Sequence, residues 1–182
     1  MPEGCNNRAM DYFKLIEHRH SVRAYLSKPV PDEAVQAILA AANQAPSAGN
    51  LQAYEIYLVT ESSQRLSLAQ ATRGQEFLAQ VPILLVFCAH PKRSAQRYGK
   101  RGSDLYAVQD ATIACTFAML AATAMGLATV WVGAFNEESV HRAIHADPDH
   151  VPVAILPIGY AAEMPGATPR RSLSDLVHEP KD

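Results

Sequence analysis

Arg19-His20-Ser21-Val22-Arg23 places two arginines four residues apart with a hydroxyl between them. Guanidinium forks bind phosphate through paired hydrogen bonds that a lone lysine cannot match. The chain contains no G-x-G-x-x-G and no G-x-x-x-x-G-K-[ST], so an anion site here would be built from side chains rather than a glycine-rich loop. Pro169-Arg170-Arg171-Ser172 has the same character near the far end. A solvated basic turn is the competing reading of either cluster. A second candidate is Ala45-Pro46-Ser47-Ala48-Gly49-Asn50-Leu51-Gln52. Ser47, Asn50 and Gln52 carry short hydrogen-bonding groups suited to the polar edge of a planar heterocycle. The same residue types also make an ordinary helix-to-strand turn.

Positioning these groups requires a scaffold, and hydrophobic spacing outlines one. Helices are expected near 8–18, 32–44, 63–71, 105–125 and 137–145, and strands at 55–60, 83–88, 129–132 and 153–159. In the second helix Val35, Ile38, Leu39 and Ala42 share a face, and Asp32 is the expected N-cap. That helix must stop before Pro46, because a residue preceding proline avoids the helical region. The third-last residue of the final strand, Pro157, is expected to interrupt it. Strands separated by helices predict an α/β or α+β sandwich. Residues 90–103 hold Lys92, Arg93, Arg97, Lys100 and Arg101 with little apolar periodicity. They read as a mobile basic loop bordering a site mouth, where they could steer nucleotide phosphates.

Four motifs in fixed order resemble the nitroreductase family of flavoenzymes. They are R-H-S-V-R at 19–23, A-P-S-x-x-N-x-Q at 45–52, Gly126-Leu127-Ala128-Thr129-Val130-Trp131-Val132-Gly133, and Leu156-Pro157-Ile158-Gly159-Tyr160 followed by Pro169-Arg170-Arg171. The resemblance implies a nitroreductase-like, dimeric α+β fold, an α/β/α-like sandwich with a central mixed sheet flanked by helices, and bound FMN. It implies that Arg19, Ser21 and Arg23 hold FMN through phosphate and ring edge, with His20 beside them and Arg170 completing the clamp. Pro46, Ser47, Asn50 and Gln52 would reach the flavin from the partner subunit of a homodimer, and Val132-Gly133 would pass the flavin ring. Thr168 stands where many members carry lysine, and Arg171 could supply that missing charge. The chain matches the short form of the family. The implied reaction passes a hydride from NAD(P)H through FMN to a nitroaromatic, quinone or similar acceptor by a ping-pong mechanism. Other readings are a dehalogenase-like or flavin-fragmenting enzyme of the same fold and a non-catalytic flavin-binding protein.

Composition bounds what remains. One domain spanning 1–182 is expected, with enough chain to bury a core. A net charge of -2 does not point to a nucleic-acid binder. Cys5, Cys88 and Cys115 form no C-x-x-C pair, and the last two lie in apolar runs, which favours a reducing, cytoplasmic setting. The N-terminal residues lack the apolar stretch of a signal peptide. Residues 111–128 carry no charge, yet alanine and threonine dominate and Gln109-Asp110 precede them. They read as a core helix and subunit interface rather than a membrane span. His141, His145, Asp147, Asp149 and His150 cluster without the H-E-x-x-H pattern, so no metal site is assigned. No G-x-S-x-G elbow and no thiol-nucleophile signature is present, consistent with chemistry carried by a cofactor.

Overall fold

In the computed structural model, which describes residues 12–180, the elements run α1 (Tyr12–His18), α2 (Asp32–Asn43), β1 (Tyr54–Val59), α3 (Ser62–Ala71), β2 (Ile83–Ala89), α4 (Pro91–Arg101), α5 (Ala107–Ala124), β3 (Ala128–Thr129), α6 (Glu137–Ala143), β4 (Val151–Gly159) and α7 (Leu173–Leu176). The stretch expected as helix before Tyr12, and Cys5, lie outside the described residues. The four strands form one sheet in the order β1-β2-β4-β3. Each strand pairing is antiparallel, so the sheet is not the mixed one expected; the parallel pairing present is an isolated bridge between Ser21 and Thr129, outside the strands.

β2 shows why the sheet is sandwiched. All seven of its residues are buried. Ile83, Leu85, Phe87 and Ala89 enter the core shared with α2 and α5, while Leu84, Val86 and Cys88 enter the core shared with α3 and α6. A strand covered on both faces reads as an unbroken apolar run, which is what ILLVFCA is. On α5, Ala107, Asp110, Ala111, Ala114, Cys115, Ala118 and Ala122 are buried at helical spacing. Small residues there let the helix lie close to the sheet and to α2. Phe117 and Val108, on the remaining surface of α5, stay exposed. The helical run Pro91–Ala124 is long and apolar enough to cross a membrane by length and composition, but its inner face is core.

Several sequence expectations need correction. Residues 90–103 are helical, not a loop. His90 caps α4, Pro91 occupies its first turn, and the run breaks at Gly99, whose φ is 56°. A five-residue π-helical turn, Gly102–Tyr106, then leads into α5. Gly102 is packed so tightly that a Cβ there would lie 2.5 Å from the Ser94 carbonyl oxygen. The cationic residues of α4 hid its helical character because the buried side of this short helix is made by a serine and a glycine.

Pro157 does not interrupt β4, which runs unbroken through it opposite Leu84. What it interrupts is its neighbour. Ala128 faces Gly159 and Val132 faces Ile155, so Val130 falls opposite Pro157, which has no N–H to give. The strand expected at 129–132 is therefore a two-residue strand plus a separate bridge at Val132. Asp32 is the first residue of α2 and not its cap: Pro31 holds the cap position and no side chain bonds there. The acidic Asp32 and Glu33 still suit the positive end of the helix. α6 stops at Ala143, short of His145, whose φ is 49°.

Candidate functional site

The residues singled out by sequence fall into two groups built in different ways. The first group follows α1. The Arg19 N–H donates to the Leu15 carbonyl at 3.0 Å, and then the Val22 N–H donates to Thr129 at 3.1 Å. Val22 is buried by this pairing, while Arg19, His20 and Ser21 remain partly accessible. The returning C-terminal chain is pinned alongside. Leu26 donates to Tyr160 at 2.9 Å and Ala162 donates to Ala24 at 2.8 Å. Glu163 accepts the N–H groups of Arg23 at 2.5 Å and Ala24 at 3.1 Å.

That path carries Arg170 to Arg19, His20, Ser21 and Thr168, and together they line a cleft of about 560 Å³. Arg19 and Arg170 form no ion pair with a carboxylate among the described residues. Two guanidiniums and a hydroxyl share this concave surface with the Glu17 carboxylate, which pairs with neither arginine among the described residues, and the set is a candidate anion site. Arg23 is exposed and does not line this cleft. Arg171 turns away, donating to the Asp175 carbonyl at 2.5 Å. Next to the cleft, a cavity of about 280 Å³ is lined by His20, Val22 and Thr129. The buried Thr129 hydroxyl has no hydrogen-bond partner.

The second group is the loop after α2. Ala48–Asn50 form a single 3-10 turn in which Gly49 has φ 56°. Asn50 and Gln52 also have positive φ, 57° and 48°. Backbone of this kind persists only when its surroundings hold it. Here the brace is Asp110, 2% exposed at the start of α5. Its carboxylate accepts the Ala48 N–H at 2.9 Å and the Ala53 N–H at 3.3 Å, bracketing the turn. The Ser47 hydroxyl accepts the Gln52 N–H at 2.9 Å, and the Gln52 amide donates to the Asn50 side chain at 3.2 Å. Arg93 donates to the Gln52 carbonyl at 2.7 Å and Arg97 to the Gly49 carbonyl at 3.4 Å.

Pro46 and Ser47 line a second cleft of about 520 Å³ with Tyr106, Gln109 and Asp110. Asn50 and Gln52 are exposed beside it. The structure thus keeps the loop and the arginine cleft apart within one chain. Val132 lines neither: it is buried, with its N–H given to Ile155 at 3.0 Å. Gly133 is exposed, and a Cβ there would sit 3.1 Å from the Trp131 ring nitrogen.

Asp110 and Arg93, which hold the loop, are residues that sequence reading missed. A signal existed for Asp110, a carboxylate heading eighteen residues without charge. The basic residues of α4 are engaged with specific partners, among which the neutral oxygens bound by Arg97 and Arg101 leave their charge in place. Besides the loop contacts, Lys92 pairs with Asp149 at 2.6 Å, Arg93 with Glu55 at 2.5 Å, Lys100 with Asp104, and Arg101 with the Tyr106 hydroxyl at 2.9 Å. The histidines and aspartates at 141–150 do not converge. His141 faces the Asp147 carbonyl at 3.0 Å, His145 is exposed, and His150 turns to the Tyr57 hydroxyl at 2.7 Å. Burial pushes the Cys88 thiol up to about 12 and raises the Cys115 thiol as well, which disfavours the thiolate that a nucleophile needs.

Comparison with known proteins places the chain in a family. The nitroreductase family model matches residues 16–75 and 64–160. The chain is 33% identical over 172 residues to an oxygen-insensitive NADPH nitroreductase of Salmonella typhimurium, covering 91% of this chain and 71% of that one. It is 31% identical over 173 residues to an NADH dehydrogenase of Thermus thermophilus, covering 80% and 84%. Among solved structures, the NADPH:FMN oxidoreductase of Vibrio harveyi complexed with NAD+ superposes with a TM-score of 0.85 at 27% identity, covering 93% of this chain and 76% of that one. The family match takes in Arg19, His20 and Ser21, the braced loop and all four strands, and ends before Arg170: this chain belongs to the nitroreductase family.

Proposed function

We propose that this protein is an FMN-dependent NAD(P)H oxidoreductase acting as a homodimer, with one FMN in each of two sites at the subunit interface. The observation that carries the reading is the division of the site. One chain holds an anion cleft and, separately, a rigid loop of flavin-edge hydrogen-bonding groups, so a complete site calls for a second copy. The exposed Phe117 and Val108 on α5 supply apolar surface for that contact. Related proteins include an FMN reductase [NAD(P)H] of Bacillus subtilis, 28% identical over 178 residues, which suggests the flavin and the donor.

The residues present fit FMN. A cleft of about 560 Å³ lies within the range of small-molecule sites, roughly 300–1,000 Å³. Arg19 and Arg170 hold the phosphate as forked donors, and Ser21 adds a hydroxyl donor. The unpartnered Thr129 hydroxyl offers one more polar contact at the adjoining cavity. Asn50 and Gln52 of the partner subunit orient the polar edge of the ring, and the exposed backbone at Gly133 offers an N–H to its central part. Arg19 and Arg170 also make the site favourable to negative charge. FMN, when bound, supplies the hydride chemistry.

The substrates are a nicotinamide nucleotide and, in turn, a nitroaromatic, quinone or similar acceptor, using one site successively in a ping-pong sequence. The buried, unbridged Cys88 and Cys115 suit a reducing cytoplasm. Purified protein is expected to be a yellow dimer by light scattering, and the flavin released on denaturation to be FMN. NAD(P)H oxidation with both substrates varied should give parallel double-reciprocal lines. A colourless protein that neither takes up FMN nor oxidises NAD(P)H overturns the reading.

A further inference from the structure

Three strand ends meet on the side of the sheet where β1 forms the edge. Glu55 lies near the start of β1, His90 immediately follows β2, and His150 immediately precedes β4. Pairing in the sheet brings them together, since Glu55 is opposite Cys88 and Cys88 is opposite Pro152. All three side chains are half-buried, and each offers a ligand atom within 4.8 Å of the other two. The imidazole rings of His90 and His150 have centroids 4.9 Å apart. From this convergence we infer that Glu55, His90 and His150 form a site for a divalent transition metal, zinc above all, that is separate from the flavin-binding residues.

The donor set is the reason for the metal class. Two imidazole nitrogens and one carboxylate oxygen suit zinc, which takes N and O ligands at about 2.0–2.2 Å. They are a poor match for calcium or magnesium, which take oxygen ligands. Tetrahedral ligands at those bond lengths lie about 3.3 Å apart, so rotations of half-buried side chains must close the set. Water then completes the fourth position.

An outer layer of hydrogen bonds is already present. The Tyr57 hydroxyl lies 2.7 Å from Nδ1 of His150 and also accepts the Asp147 N–H at 3.1 Å. With Nδ1–H donated to that oxygen, Nε2 of His150 keeps its lone pair for a metal. The Arg93 N–H approaches Nδ1 of His90 at 3.4 Å, but it already donates to the His90 carbonyl at 3.1 Å. Turning that ring toward a metal gives up only the longer contact. The Arg93 guanidinium holds one oxygen of Glu55 and leaves the other. Its positive charge weakens cation binding, which sets the expected affinity in the micromolar range. Lys92 and Asp149 close by neutralise each other.

The location gives the metal a consequence. His90 caps α4, and α4 carries Arg93 and Arg97, the two arginines that hold the 49–52 turn. Metal at this site would tie α4 to β1 and to the chain entering β4, and so stiffen the support of that loop.

The test is calorimetric titration of the chelator-treated, flavin-loaded protein with zinc chloride, with cobalt(II) absorption as the report on geometry. One zinc per protomer at micromolar Kd is expected. His90→Gln and His150→Gln should each weaken it at least about 10-fold, and Tyr57→Phe by a similar or smaller factor. The control His141→Gln, His145→Gln should bind as the parent does, and circular dichroism establishes that each variant is folded. No saturable zinc binding up to 1 mM, or binding that survives the His90→Gln, His150→Gln double substitution, overturns the proposal. Neither result touches the flavin reading, which stands or falls on FMN content.

Discussion

The turn at residues 47–52 and the cleft between Arg19 and Arg170 serve one proposed ligand yet obey opposite rules. The turn is finished before any ligand arrives. Its positive-φ residues are held by a buried carboxylate, a hydroxyl and two arginines, all bonded to its backbone. The cleft is unfinished: two guanidiniums and the Glu17 carboxylate line the same space, and neither arginine forms an ion pair among the described residues. In the turn, polar groups are satisfied by protein and the strain is met by folding. In the cleft, the ion-pair partner of each guanidinium is left for a ligand to supply. Mutations should therefore separate into those that cost folding and those that cost binding.

The sharpest break comes at Asp110. Asp110→Ala orphans two N–H groups beneath the turn, each worth about 1–3 kcal/mol when buried unpaired, and should lower unfolding stability by about 2–4 kcal/mol in urea titrations. Asp110→Asn, which keeps one acceptor oxygen, should lose less. Equal stability of Asp110→Ala and parent would show that the turn does not depend on its brace.

Arg19→Ala should behave in the contrary way. FMN affinity is expected to fall by about 1.5–3 kcal/mol, roughly 10- to 150-fold, as for a hydrogen bond to a charged group. Unfolding of the flavin-free protein should barely move. Arg170→Ala should match it, while Arg171→Ala, whose side chain bonds the Asp175 carbonyl, should change FMN affinity by less than about 0.5 kcal/mol. Fluorescence titration of flavin-free protein distinguishes these, and an Arg171 effect equal to that of Arg170 would redraw the cleft.

Gly49→Ala tests the strain directly. At φ 56° an alanine costs about 1–2 kcal/mol, and its methyl group would crowd the Tyr98 hydroxyl and the Arg97 guanidinium. Stability should fall and FMN affinity should follow, because Arg97 is part of the support.

The smallest effect is one of pH. Burial, the Arg93 cation and His150 hold the His90 pKa below its ordinary value of 6.5. A histidine depressed in the folded state stabilises above its unfolded pKa, and that contribution is lost as pH falls through the folded value. Unfolding free energy should therefore slope downward below about pH 6.5, and His90→Gln should flatten the slope. An unchanged slope in that variant would remove His90 from the support of α4.

Much of the scaffold was legible because local rules dictate it. The apolar run of β2, the periodic face of α2, the stop before Pro46 and the glycine after α5 all act through neighbours in the chain. α4 was illegible for the complementary reason. Its buried contacts are Ser94 and Gly102, neither of which registers as hydrophobic. Pro157 misled because a proline's cost depends on which neighbouring strand needs its N–H. That neighbour is Val130, known only once the register is known.

By itself, then, the sequence determined the layered α+β fold, the two clusters that face ligand chemistry and the family to which the motifs belong. Tertiary structure alone decided how those clusters are used. It sent Arg170, not Arg171, into the cleft with Arg19, placed the braced loop in a different cleft of the same chain, and set Arg93 and Arg97 of α4 against the loop backbone. It also joined Glu55, His90 and His150. The physical reason is range. Asp110 reaches Ala48 and Ala53 across 62 and 57 positions of chain, and Glu163 reaches Arg23 across 140. Bonds of that separation depend on how the sheet is ordered and which helix covers which face, and no local pattern of residues records that.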